Sequence, residues 1–261
     1  MGKKRRKQDP LSYQERVYHR CVATDLVISR IRLMETDLTI QAERDVSAEA
    51  LAEVIRVRDQ LESYIRSHPD FLHSLEPLPF QRQAPSIVRQ MLAAAQAAGV
   101  GPMAAVAGAI AEAVGQRLRE EGLREIVVEN GGDIYVARLR PCRIAIYAGQ
   151  SALSGRIGIE LVSAAMPCGV CTSSATIGHS LSLGKADAAV VVAESTALAD
   201  AAATRLGNAV SAGRRSISQA LASIGETVDG IRGALVICGN QLGAWGDVTL
   251  TGIGREEEKS S

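Results

Sequence analysis

An aspartate and a threonine in the second half of the chain have the types and spacing of a cation site. Asp200 and Thr204 lie in STALADAAATRLGN, an alanine-rich stretch at residues 195–208 that predicts a helix. Residues four apart share a face of a helix, so the carboxylate and the hydroxyl are neighbours. Such hard oxygen ligands suit a Mg²⁺ ion that keeps some waters or binds phosphate. The alternative is a threonine bonded to its own helix beside a solvated aspartate.

The segment VENGGDIYV, at residues 128–136, places a carboxylate beside a glycine-rich turn. Asn-Gly is the commonest sequence of a type I′ turn, and strand-like runs lie on both sides, so a β-hairpin is predicted. The alternative to a plain hairpin is a ligand site, because glycines let the backbone approach a ligand closely. In that case Asp133 would be a pocket residue.

A predicted helix start upstream has the composition of an anion site. The stretch AGVGPMAAVAGAIAE, at residues 98–112, contains a Gly-x-Gly-Pro sequence that includes Gly101. Backbone amides at a helix N-terminus suit an anion. The alternative is that the glycines and alanines serve only tight packing between helices.

The stretch CTSSATIGHSLSLGKAD, at residues 171–187, gathers hydroxyl groups around one histidine and one lysine. His179 lies in a loop-like context, where a role in the core is less natural. One alternative is a hydrolase that uses Cys171 or Ser173 with His179, although the nucleophile elbow G-x-S-x-G is absent. The glycine spacing before Lys185 does not match a P-loop.

In their order along the chain, these stretches resemble the ApbE-like superfamily of flavin transferases, the FAD:protein FMN transferases. Most of residues 11–252 is similar to a separate family of ApbE-like proteins within it. The likeness to the enzymes themselves covers about residues 101–207. The motifs that carry it are the Gly-x-Gly-Pro helix start, the N-G-G-D turn, the Thr-Ser-Ser segment, the histidine and the A-D-A-A-A-T helix.

The resemblance implies a site for Mg²⁺ and FAD. In such enzymes a backbone carbonyl, an aspartate and a threonine hold the metal, and the matching positions here are Ala104, Asp200 and Thr204. His179 would be the base for an acceptor hydroxyl, and Asp133 would anchor the nucleotide or assist the acceptor. The residues expected to bind the cofactor are Gly101, Asn130, Gly131, Gly132, Asp133, Thr172, Ser173, Ser174 and Lys185.

The implied reaction cleaves the pyrophosphate of FAD, passes FMN to a serine or threonine of a target protein and releases AMP. The chain departs from the enzymes at Ala105-Val106-Ala107, where they have Lys-Gly-Tyr, and so lacks a cation and an aromatic group there. Lys185 is a candidate replacement for that cation. A protein that binds a flavin, a nucleotide or another small anion without turnover is therefore a further alternative.

The elements expected to position these residues form a single α+β domain over residues 11–252, a mostly antiparallel sheet layered with Ala/Gly-rich helices. A basic tail over residues 1–10 and an acidic tail over residues 253–261 flank it. Helices are predicted over residues 47–67, 85–98, 102–122, 195–212 and 216–224. Strands are predicted over residues 15–23, 26–34, 37–43, 125–129, 134–139, 143–148, 156–162, 188–193, 231–238 and 247–251.

Composition argues against several classes of protein. The formal net charge is +0, so no basic surface for nucleic acid is indicated. Residues 91–115 are mostly Ala and Gly, which predicts two soluble helices rather than a membrane span. No apolar segment follows the basic opening, so a cytoplasmic protein with reduced thiols is expected. The Cys168–Cys171 pair is interpreted as small residues at a buried strand end, and the flat Ala/Gly helices would suit a homodimer.

Overall fold

The structure is a computed structural model that describes residues 25–174, 184–211 and 213–253. Eleven strands and six α-helices lie in these ranges. The strands are β1 (Val27–Leu33), β2 (Thr36–Ala42), β3 (Ile126–Asn130), β4 (Asp133–Ala137), β5 (Cys142–Ala145), β6 (Ile157–Leu161), β7 (Cys168–Ser173), β8 (Ala188–Ala193), β9 (Ile231–Cys238), β10 (Gln241–Gly246) and β11 (Thr249–Gly252). The helices are α1 (Ser47–Ser67), α2 (Asp70–His73), α3 (Ser86–Ala98), α4 (Val106–Glu120), α5 (Thr196–Ala209) and α6 (Arg214–Thr227).

Two antiparallel sheets organise the fold. The main sheet has eight strands in the order β1-β2-β3-β4-β7-β8-β9-β10, and a three-stranded sheet has the order β11-β6-β5. Every pairing between these strands is antiparallel. This architecture confirms the predicted α+β class with its mostly antiparallel sheet.

The two faces of the main sheet are covered by different layers, as the alternation along β4 illustrates. Tyr135 lies in the core beneath the helices, while Ile134 and Val136 lie in the core shared with the small sheet. Helices α4 and α5 both contact β4 and β7. Because each strand residue points to the face opposite its neighbours, side chains at odd positions of β4, including Asp133, face the helices.

Several element boundaries follow directly from local chemistry. Pro85 precedes α3, where its missing N–H is not needed, and Gly99 ends the helix in the left-handed conformation with φ 68°. A short 3₁₀ turn over Pro102–Ala105 then leads into α4. The break predicted at Gly-Val-Gly-Pro is confirmed, and it separates the two helices that bring the candidate residues into place.

Strands β7 and β10 and the short helix α2 were not among the predicted elements. Strand β7, with sequence CGVCTS, is buried on both faces and shows no alternation of apolar and polar residues. Cys168 packs toward the small sheet and Cys171 toward α5, so the two thiols lie on opposite faces. This placement agrees with a buried strand and not with a shared metal or dithiol site. The strand predicted over residues 15–23 lies outside the described residues.

No single helix in the described ranges is long and apolar enough to cross a membrane. Helix α3 and the helical segment Pro102–Glu120 together have the length and composition of a span, but they are bent by 106° at the break between them.

Candidate functional site

The glycine-rich turn between β3 and β4 places Asp133 at the first position of a buried strand. Asn130 pairs with Asp133 across a two-residue loop, and the two central glycines have φ 64° and φ 104°. Positive φ at both central positions is the geometry of a type I′ turn. The predicted hairpin is confirmed, with Gly131-Gly132 rather than Asn-Gly as its central pair.

Asp133 is a buried carboxylate that faces the helices. It is 7% exposed, and its pKa is raised well above the ordinary value by burial and by the charge of Asp200. The neighbouring Cys171 side chain and Thr172 backbone lower this pKa and offset part of the rise, while the Cys171 thiol donates to the Thr196 carbonyl oxygen at 3.4 Å. The Asp133 Oδ1 atom has no hydrogen-bond partner among the described residues. A buried polar atom of this kind is costly and marks a position for a ligand, a proton or a water.

Asp200 projects from α5 onto the first turn of α4. Its Oδ2 accepts a hydrogen bond from the amide of Gly108 at 2.9 Å, and the backbone of Ala107 also lowers the pKa of the carboxyl. Burial nevertheless raises the pKa of Asp200 to about 7. The contact requires Gly108, since a Cβ at that position would lie 2.8 Å from the Asp200 Cβ. Asp133 and Asp200 are near enough for the charge of Asp200 to raise the pKa of Asp133.

The other two residues expected to hold the metal lie on the elements that meet at Asp200. Ala104 belongs to the 3₁₀ turn that contacts α5, and Thr204 is half-buried on α5, one helical turn after Asp200. In a continuous helix the Gly108 amide would bond to the Ala104 carbonyl, but it donates to Asp200 instead. The Ala104 carbonyl is therefore not engaged by the amide that normally closes this turn.

The residues predicted to bind a cofactor do not share one environment. The Asn130 side chain donates to the carbonyl of Ala107 at 3.0 Å, which anchors the turn to α4. Ser173 faces α5, whereas Thr172 points to the opposite face of the sheet and has a buried Oγ1 with no partner among the described atoms. Ser174 donates to the carbonyl of Asp187 at 2.7 Å.

Gly101 and Lys185 lie at the margins of this arrangement. Gly101 is packed against the chain after α2, because a Cβ there would meet the Ser74 carbonyl oxygen at 1.9 Å. Lys185 is exposed near the end of α5, and its amide donates to the carbonyl of Val210 at 2.9 Å. His179 lies outside the described residues, so its catalytic role stays a prediction.

Glu112 is a polar residue of this region that sequence reasoning did not assign to the site. It lies on α4, is 7% exposed, and accepts hydrogen bonds from the first residues of α5. The available signal was a lone charged residue in the buried stretch AIAEAV. A contact with a helix more than eighty residues away cannot be read from that signal.

The chemistry of the donor set favours a hard cation over a thiolate or zinc centre. Within the described ranges, no group of three or more His, Cys, Asp or Glu side chains could hold a metal. A cation here would have to use carboxylate, hydroxyl and carbonyl oxygens, which is the preference of Mg²⁺. Burial and the neighbouring carboxylates raise the pKa of Cys171 well above its ordinary value, so its thiol is protonated and a poor nucleophile.

Comparison with known proteins identifies the family of this chain. The model of the family described as AbpE bacteria matches residues 22–240. The chain belongs to this family. The UPF0280 protein of Methanosarcina barkeri is 42% identical over 218 residues, covering 83% of this chain and 85% of the relative. The UPF0280 protein of Methanosarcina acetivorans is 43% identical with the same coverage of both chains.

Solved flavin transferases share the fold of this AbpE family member, which agrees with the predicted ApbE-like fold. The flavin transferase ApbE from Vibrio cholerae has a TM-score of 0.56 at 15% identity, covering 84% of this chain and 96% of that one. The apo flavinyl transferase ApbE of Pseudomonas stutzeri has a TM-score of 0.54 at 18% identity, covering 84% and 94%. At these identities the comparison establishes the shared fold.

Proposed function

We propose that this protein binds a divalent cation and a flavin nucleotide, and cleaves the pyrophosphate of FAD to transfer FMN. The observation that carries the proposal is the half-buried Asp200 carboxylate, which lies one helical turn from Thr204 and is near enough to the buried Asp133 to raise its pKa. The same helix carries the A-D-A-A-A-T sequence by which the chain resembles the flavin transferases. Two proteins with solved structures that share this fold are flavin transferases, from Vibrio cholerae and Pseudomonas stutzeri.

The residues present fit a magnesium ion. Asp200 and Thr204 would supply side-chain oxygens, and Ala104 would supply a carbonyl oxygen from the facing 3₁₀ turn. A cation between them would relieve the repulsion from Asp200 that adds to burial in raising the pKa of Asp133. When bound, Mg²⁺ neutralises phosphate oxygens and stabilises charge on the transferring group.

The protein's own residues would then orient the substrate. The Asp133 Oδ1 atom, buried without a partner among the described residues, can accept a hydrogen bond from a hydroxyl of the nucleotide or of the acceptor. Gly131 and Gly132 carry no side chains, so the turn leaves room for a ligand beside Asp133. We assign His179 as the base for the acceptor hydroxyl by its place in the motif order.

A second candidate is a protein that binds a flavin or nucleotide without turnover. The specific observation that favours it is Ala105-Val106-Ala107, which provides neither the cation nor the aromatic ring of the enzymes at the start of α4. Lys185 would have to supply the missing charge for transfer. The form of the hydrolase alternative that uses Cys171 as nucleophile is weakened, because Cys171 is fully buried with a protonated thiol. The form that uses Ser173 stays a prediction.

A thermal-shift screen of the full chain with FAD, FMN, ATP and AMP, each with and without Mg²⁺, tests binding first. A ligand at 100 times its Kd stabilises by about 2.7 kcal/mol, which raises the Tm of a chain of this size by roughly 5–10 °C. FAD should give this shift only with Mg²⁺, and the release of AMP from FAD with FMN transfer would separate the enzyme from the binding protein. No shift with any nucleotide would remove both candidates.

Matched variants then test the residues. Asp200→Asn and Thr204→Val should remove the Mg²⁺-dependent part of the shift. Thr39→Val, at another half-buried threonine on β2, should leave it intact. A Lys185→Ala variant with unchanged ligand affinity and activity would exclude Lys185 from the site.

A further inference from the structure

Helices α4 and α5 cap each other through two carboxylates. Glu112 on α4 accepts hydrogen bonds at Oε2 from the amides of Thr196 at 2.7 Å and Ala197 at 3.2 Å, in the first turn of α5. Asp200 on α5 accepts at Oδ2 from the amide of Gly108 at 2.9 Å, in the first turn of α4. We call this pair of contacts the carboxylate clasp. Each carboxylate satisfies otherwise unpaired amides and faces the positive end of a helix.

The clasp is centred on the point where the two helices touch. Glu112 follows Gly108 by four residues, and Asp200 follows Thr196 by four residues, so each carboxylate lies one turn beyond the contact. A Cβ at Gly108 would lie 2.4 Å from the Thr196 carbonyl oxygen, which shows how closely the backbones approach. The separation and the rotation of the helices are therefore set by one glycine and two carboxylates.

Glu112 makes shorter hydrogen bonds to the first turn of α5 than the N-cap residue Ser195 does. The N-cap hydroxyl of Ser195 accepts from the Leu198 amide at only 3.4 Å, and it donates to the Glu112 carboxylate at 2.8 Å. Gln116 donates to the Oε1 atom of Glu112 at 3.1 Å, which fixes the carboxylate from the other side. A side chain that is 7% exposed and held by four donors has one orientation, and α5 is anchored to it.

We propose that Glu112 is a positioning residue for the cation site, holding α5 so that Asp200 and Thr204 face the Ala104 carbonyl. The inference rests on the proposed function. Mg²⁺ requires near-ideal octahedral geometry, so ligands from two separate elements must be held within a fraction of an ångström. Glu112 itself contacts no cation or substrate, and it acts through the helix that carries two of the ligands.

The test is the affinity of the full chain for Mn²⁺, measured by calorimetry, beside the Tm of each variant without metal. Glu112→Ala should weaken Mn²⁺ binding by about 10–100-fold, the range found for residues that orient metal ligands. Glu112→Gln should weaken it less, because its side-chain oxygen can still accept from one α5 amide. The matched control is Glu125→Gln, at another carboxylate of 7% exposure, which pairs with Arg138 at 2.7 Å away from α5.

The outcomes separate positioning from stability. Glu125→Gln should lower the Tm and leave Mn²⁺ affinity unchanged. Both Glu112 variants should bind Mn²⁺ more weakly than Glu125→Gln does, even where their Tm values are similar. Folded Glu112 variants with wild-type affinity would overturn the inference, as would affinity that falls in step with Tm in all three variants. If Glu112→Ala does not fold, Glu112→Gln decides. A wild-type chain that binds no Mn²⁺ at all overturns the proposed cation site itself, and the positioning role with it.

Discussion

Replacing Asp200 by asparagine should make the metal-free protein more stable at neutral pH while removing its affinity for a cation. Asparagine keeps an oxygen that can accept from the Gly108 amide, so the contact with α4 survives. It loses the negative charge that lies half-buried near Asp133. If Asp200 is retained for cation binding at a cost in stability, its replacement should raise the free energy of unfolding and lower the cation affinity.

The magnitude follows from the pKa of Asp200, which burial raises from the ordinary value of 3.8 to about 7. At about 1.4 kcal/mol per pH unit, this difference destabilises the wild-type fold by about 4 kcal/mol above pH 7. Partial solvent exposure screens the charge, so 4 kcal/mol is an upper limit and about 2 kcal/mol is expected. Part of the cost also belongs to the pair with Asp133 rather than to Asp200 alone.

The sign of the pH dependence is fixed by the direction of the shift. A carboxyl whose pKa is raised in the folded state binds its proton more tightly there than in the unfolded chain. Its stabilising contribution is complete below pH 3.8 and is lost as the pH rises through about 7. The advantage of Asp200→Asn should therefore be absent near pH 4 and reach its full value above pH 7.

Urea denaturation in EDTA at pH 4, 6, 7 and 8 measures this difference in unfolding free energy. Asp45→Asn is a control of opposite sign, because Asp45 accepts hydrogen bonds from Ser29 and Ser47 that lower its pKa to about 2. Its stabilisation is present above pH 3.8 and lost as the pH falls toward 2, so the asparagine variant should be less stable at pH 7. If Asp200→Asn is equally or less stable than wild type at pH 8, the carboxylate is not held at a cost and the reasoning fails.

Two further predictions concern the packing around this carboxylate. Gly108→Ala would place a methyl group 2.4 Å from the Thr196 carbonyl oxygen. Overpacking should lower the free energy of unfolding by about 1–3 kcal/mol, which outweighs the gain of about 1 kcal/mol in helix propensity. The variant should also lose Mn²⁺ affinity. Gly225→Ala on α6, where a Cβ would also meet a neighbour at 2.2 Å, should lose stability under urea but keep Mn²⁺ affinity; a matching loss of affinity would contradict a local effect. Cys171, which is fully buried, should react with iodoacetamide only after unfolding, as followed by peptide mass spectrometry, and rapid labelling of the native chain would contradict its burial.

The elements that sequence predicted well have their reason for folding within their own residues. Strand β8, Ala188–Ala193, is a continuous apolar run, and its observed ends match the prediction. The sequences of β7 and β10 contain no such local signal. Strand β7 is buried on both faces, so its small residues do not alternate, and β10 is a half-exposed edge strand that depends on pairing with β9. Non-local pairing decides these strands, and single-sequence patterns do not contain it.

In the candidate site, too, the relations between neighbouring residues could be predicted and the contacts between distant residues could not. Helical spacing placed Asp200 and Thr204 on one face, because that relation is local to α5. The contact between Asp200 and the Gly108 amide joins residues 92 positions apart, and the bond from Thr196 to Glu112 joins residues 84 apart. A buried glutamate in an alanine-rich helix is therefore informative only once its distant partner is known.

The relation between Asp133 and Asp200 adds what neither residue could show separately. Asp133 follows a tight turn and Asp200 lies in the middle of a helix, and each position has an ordinary structural explanation. Folding brings the two carboxylates close enough for one to raise the pKa of the other, in a region where burial already disfavours their charges. The repulsion is removed when one carboxylate binds a proton or when a cation binds between the two. The proton and the cation bind the same oxygens, so they compete. Cation affinity at this site should therefore fall as the pH drops below about 7, where Asp200 takes up its proton.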